Sequence, residues 1–99
     1  MQNKLKIHVL RMLLSEKPED VSEKVYQDVI KYAAIYTHEL CSYIFRSVEY
    51  NCISEGIILN DENILSKLTP SYCILRAYEY LKYLENQHEY AHECEELAR

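Results

Sequence analysis

Apolar residues recur every three or four positions along nearly the whole chain, the period of a helix with one buried face. From 3 to 15 the stripe is Leu5, Val9, Met12 and Leu13, widened by Ile7, Leu10 and Leu14. Pro18 stops this first helix, because proline disfavours helix at the residue before it and has no N–H to donate. From 21 to 55 the same spacing continues through Val25, Val29, Ala33, Tyr36, Leu40, Ile44, Val48 and Cys52, with no glycine or proline. A second row, Ile30, Ala34, Thr37, Cys41 and Phe45, makes that surface wider than one neighbour covers. Asp20 or Ser22 is expected to cap this helix, Glu23 sitting at the capping-box position for Asp20. A helix of about 30 residues is roughly 45 Å long. It is therefore expected to project past its flanking helices and to be packed by a second protein.

Gly56 suits a helix C-cap. The apolar, β-prone Ile57-Ile58-Leu59 suits a loop that pairs briefly with a partner strand. Asn60 or Asp61 opens a third helix over 61–68, with Ile64, Leu65 and Leu68 inward. Thr69-Pro70-Ser71 opens a fourth over 70–97, proline being tolerated in a first turn. Its stripe is Ile74, Ala77, Leu81, Leu84, His88 and Ala91.

Ninety-nine residues fit one domain, 1–99. One glycine and two prolines leave too few turn residues for many short strands, so the expected class is all-α. Apolar residues at 48 % and charged ones at 27 % are a globular rather than a disordered composition. Eleven basic residues against sixteen acidic ones give a net charge of −5. DNA affinity comes from Lys and Arg neutralising phosphates, so direct DNA binding by this chain alone is not expected. The local group Lys4, Lys6, His8 and Arg11 reads as a solvated helix face. No 18-residue apolar run is present, so no membrane contact is expected. The N-terminus also lacks the apolar core of a signal peptide, and Cys41, Cys52, Cys73 and Cys94 are expected as reduced thiols. The ten tyrosines either half-cover a small core or line an interface.

His88-Glu89-Tyr90-Ala91-His92 satisfies H-E-x-x-H, which on a helix sets two imidazoles one turn apart with a glutamate beside them. A catalytic zinc needs a third protein ligand. The seven residues after His92 contain no glycine to turn one back. His88 and His92 are therefore weak metal candidates, and no cofactor, Gly-rich phosphate loop or catalytic group is expected. Asp61 and Glu62 read as capping and macrodipole acids.

Taken together, Leu5–Leu14, the acidic turn, Val21–Cys52 and Leu59-Asn60-Asp61-Glu62-Asn63-Ile64 resemble the non-nucleosomal histone-fold subunits of eukaryotes. Val29-Ile30-Lys31-Tyr32 with Thr37-His38, and Pro70 followed by Arg76-Ala77-Tyr78-Glu79-Tyr80-Leu81, are most similar to the TFIID subunit 13 family. That resemblance implies a histone fold of short, long and short helices with an additional long C-terminal helix. It also implies a non-catalytic heterodimerisation role in the basal transcription machinery of the nucleus. The implied partner is another histone-fold protein of the TFIID subunit 11 kind, with contact to the TATA-binding protein. Its implied partner-facing positions are Val29, Tyr32, Tyr36, Leu40, Ile44 and Ile64. The chain departs from the family in having Ser15-Glu16-Lys17-Pro18 where a glycine turn is usual. It also departs in a longer connection from Phe45 to Glu62 and in lacking a basic residue before the third helix. The layout over Leu5 to Ser22 resembles centromere protein X, and the long last helix resembles centromere protein S, which implies DNA binding as a complex. A self-contained helical bundle and a zinc hydrolase at His88, Glu89 and His92 are the other readings.

Overall fold

The computed structural model describes residues 3–97, with side chains described over 3–87. Among the described residues the chain is all-helical, with no strand. The helices are α1 (Asn3–Leu13), α2 (Glu23–Ala33), α3 (Thr37–Glu55), α4 (Asp61–Lys67) and α5 (Pro70–Leu97).

Local chemistry explains most of the boundaries. The Ser22 hydroxyl accepts the Val25 N–H at 3.2 Å and caps α2, and Asn60 Oδ1 accepts the Asn63 N–H at 2.8 Å and caps α4. Asp20 does not cap α2; its carboxylate accepts the Ser71 hydroxyl at 2.6 Å and ties the α1–α2 turn to the start of α5. Lys17 Nζ donates to the Val21 and Pro18 carbonyls at 2.9 and 3.3 Å, closing the same turn. At the end of α3, Gly56 takes the left-handed conformation at φ 72°. There the Gly56 N–H reaches the Ile53 carbonyl at 3.1 Å and the Ile57 N–H reaches the Cys52 carbonyl at 2.8 Å. This is the paired helix-ending pattern that glycine allows without steric cost. Thr69 Oγ1 accepts the Tyr72 N–H at 3.2 Å just ahead of Pro70.

The single helix expected over 21–55 is interrupted. Residues 34–36 form a turn between α2 and α3, so the expected short–long–short order gives way to five helices. The turn lets α2 lie against α5, burying Val29 and Ala33, which a straight helix would carry away from the molecule. α5 packs on α1, α2 and α3, and α3 packs on all four other helices. The first half of α5 supplies the fully buried Cys73, Ile74 and Ala77, while Tyr83 and Glu85 to Gln87 stand in water.

The core gathers Leu5, Val9 and Leu13 of α1, Val29 and Ala33 of α2, Leu40, Cys41, Ile44 and Val48 of α3, Ile64 of α4, Leu68 and the α5 residues above. Its apolar side chains are buried with no buried polar or charged residue among them. Ile7 and Leu14, expected to widen the α1 stripe, are exposed, because the neighbours of α1 cover only its central row. His8 is not fully solvated: its Nε2 donates to the Leu68 carbonyl at 3.0 Å and joins α1 to the end of α4.

Cys41, Cys52 and Cys73 are free and buried; Cys94 lies outside the described side chains. Burial pushes the Cys73 thiol up to about 12, with the neighbouring Cys41 adding to the rise. Burial also raises Cys41, offset in part by Lys6. A thiol whose folded pKa is raised stabilises the fold fully below the unfolded value of 9.0, and that contribution is lost as pH climbs towards about 12. Unfolding free energy should therefore fall above pH 9.0, with up to about 1.4 kcal/mol per pH unit coming from this thiol. Denaturant titrations from pH 8 to 11 on Cys73→Ala should show a correspondingly shallower decline. An unchanged slope would contradict this account.

Candidate interaction surfaces

The six positions implied to face a partner divide sharply. Val29, Leu40 and Ile44 are 0 % exposed and Ile64 5 % exposed, all within the core of this chain. Tyr32 is half-buried and Tyr36 is exposed; their rings lie 6.3 Å apart. These two line a groove of about 580 Å³ between α2 and α5, with Tyr78, Leu81 and Leu84 facing them and Asp28, Lys82 and Glu85 at its edges. Ammonium groups of the chain itself sit on the tyrosine rings there. Lys31 Nζ stands 5.3 Å from the Tyr32 centroid and Lys82 Nζ 5.2 Å from that of Tyr78. Lys82 also pairs with Glu85 at 3.0 Å.

A second surface lies at the far end of α3. Tyr50 and Ile53 sit one turn apart, on the side of the helix opposite Val48 and Cys52. Like Ile58 and Leu59 they are exposed large apolar side chains, the four standing at 72 %, 65 %, 74 % and 44 % in chain order. The backbone beneath them is fixed. Gly56 closes α3 as described, Asn60 caps α4, and Asn63 Nδ2 donates to the Ile58 carbonyl at 2.9 Å. Glu55, Asp61 and Glu62 give this surface an acidic rim, with Lys67 bonded to Glu55. Ile58 and Leu59 belong to the segment expected to pair with a partner strand, and no strand forms there. Tyr50 and Ile53 were not expected, and their place off both apolar rows of 21–55 is the signal that could have found them.

Several tyrosines half-cover the core or tie one helix to another. Tyr26 donates to the Ser15 carbonyl at 2.8 Å, tying α2 to the end of α1. Tyr72, Tyr78 and Tyr80 pack against the core. Tyr43 packs against Tyr80 with the rings tilted by 37° and their centroids 5.2 Å apart, and it donates to Glu79 at 3.3 Å; burial first, then Glu79, raises its pKa. Asn51 Nδ2 donates to Tyr72 Oη at 2.5 Å, linking α3 to α5.

His88, Glu89 and His92 fall on the α5 backbone, but their side chains lie outside the described ones. Among the described residues no group of three His, Cys, Asp or Glu is placed to hold a metal ion, and no helix is long and apolar enough to cross a membrane. Comparison with protein-family models, with curated proteins and with solved structures finds no match for the chain.

Proposed function

We propose that this chain is a non-catalytic pairing subunit of the histone-fold type, acting with a second histone-fold protein in a nuclear assembly of the TFIID kind. The observation that supports the pairing role is the second surface: Tyr50, Ile53, Ile58 and Leu59 are held in water on a backbone that hydrogen bonds keep in place. Apolar side chains on a fixed backbone gain free energy when covered and lose little entropy in being covered. The partner chemistry that fits is a helical chain with an apolar contact row and basic flanks to meet Glu55, Asp61 and Glu62. The TFIID assignment, a subunit 11-like partner and contact with the TATA-binding protein rest on the sequence resemblance. The centromere alternative predicts salt-dependent DNA binding by the pair; the acidic balance of this chain leaves the basic residues to be supplied by the partner.

A self-contained bundle is the second reading, favoured by the closed core. The two separate in one experiment. The purified chain is mixed with a TFIID subunit 11-type histone-fold protein, and the mass of the complex is measured by light scattering. A one-to-one heterodimer supports the pairing role; a chain that stays monomeric with every histone-fold partner offered overturns it. Glu89→Gln should leave pairing unchanged, whereas a zinc-dependent peptidase activity abolished by that substitution would move the chain to the hydrolase reading.

A further inference from the structure

We propose that the α2–α3 junction is a hinge with two states, the bent one described here and one in which residues 23–55 form a single straight helix. Sharp helix breaks are ordinarily caused by proline, glycine-containing sequence or an inserted side chain. Residues 21–55 contain neither glycine nor proline. Ala34 keeps helical dihedrals at φ −70°, ψ −30°, and Tyr36 departs only to φ −110°, ψ 32°. Among the described residues no non-glycine residue takes a positive φ. The bend is bridged by one side chain. In a continuous helix the Ala33 carbonyl would accept the Thr37 N–H; here it accepts the Thr37 hydroxyl at 2.6 Å.

The apolar register also ignores the bend. Val29 and Ala33 lie eleven and seven residues before Leu40, and both intervals return to nearly the same face, within about 20°, in a straight helix. Bending leaves Ile35 68 % exposed and Tyr36 at the groove edge. What holds the bent state is the burial of Val29 and Ala33 in the shared core, together with the packing of α2 on α5. Straightening trades that burial for restored backbone bonds. It also extends the α3 stripe with Val25, Val29 and Ala33, while uncovering Tyr78 and Leu81. Both released surfaces are apolar, so a second helical chain that covers them shifts the population towards the straight state. This last step rests on the pairing role proposed above; the hinge itself is a property of the single chain.

Two variants push the junction in opposite directions. Ile35→Ala, Tyr36→Ala and Thr37→Ala together raise helix propensity and remove the bridging hydroxyl, while none of the three residues belongs to the core. Thr37→Pro opens α3 with a residue suited to a first turn, but in a straight helix it lacks the required N–H and clashes with the Ala33 carbonyl. Spin labels on ketone-bearing residues at the exposed positions 24 and 54 leave the native cysteines untouched. The distance between them is about 45 Å in a straight helix and shorter when bent. In the chain alone, the triple-alanine variant should show a population at about 45 Å that Thr37→Pro lacks, with both variants remaining helical by circular dichroism. The same single shorter distance in wild type and triple-alanine variant overturns the hinge. Light scattering with the subunit 11-type partner is read separately. A moving hinge without pairing removes the pairing role and leaves the hinge standing; pairing without the long distance does the reverse.

Discussion

Ile53→Lys combined with Ile58→Lys is expected to weaken pairing by at least about 100-fold, near 2.7 kcal/mol, while leaving the unfolding free energy of the lone chain within about 0.5 kcal/mol. The asymmetry follows from where the two side chains sit. Both are more than half exposed and neither belongs to the core, so their removal opens no cavity. Lysine is also a good helix former, and near the end of α3 its charge complements the partial negative charge of the helix terminus. In a complex the same side chains would have to bury an ammonium group against apolar surface, or repel the basic flanks that suit the acidic rim. Binding and melting should therefore separate cleanly. Titration calorimetry against the histone-fold partner, with a denaturant curve on each variant, checks both halves. A double variant that binds as wild type places the interface elsewhere on the molecule, and one that melts early marks the surface as part of the fold.

The residues that end helices made much of this architecture legible, because their effects are local. Pro18, Gly56, Asn60 and Pro70 each act on a neighbouring N–H or carbonyl, and the turns they predict are the turns observed. The central row of α1 and the Ile74–Ala77 stretch of α5 were likewise readable, since a helical period sets which side chains share a face. The break at 34–36 was not. No residue there opposes helix, and the bend follows from the packing of α2 on α5, a contact between segments some 45 residues apart in sequence. Helix propagation and tertiary burial compete at Tyr36, and only the first is written in neighbouring residues. For the same reason the pattern pointed to one projecting helix over 21–55, where the chain folds back after residue 33 and packs both halves on α5.

That competition gives the second large expected effect a diagnostic use. Ile44→Ala should destabilise the lone chain by about 2–5 kcal/mol, the usual cost of deleting a branched side chain from a packed site that relaxes only in part. Ile44 is fully buried in a cluster with residues of α1, α2, α4 and α5, and alanine is a better helix former, so a loss of this size comes from packing and not from local propensity. The resemblance to histone-fold subunits puts the same side chain against a partner. If it faced only a partner, the lone chain would lose almost nothing and the heterodimer would bear the whole cost. If the core described here forms first and opens at the hinge to pair, both are affected: the lone chain loses its 2–5 kcal/mol, and pairing weakens as well because the shared stripe is shortened. Ile53→Ala supplies the reference, a residue on the same helix whose truncation should move stability by less than about 0.5 kcal/mol. Paired denaturant curves on Ile44→Ala and Ile53→Ala, without partner and then with it, therefore measure how much of the apolar surface between 23 and 55 the chain keeps for itself and how much it shares.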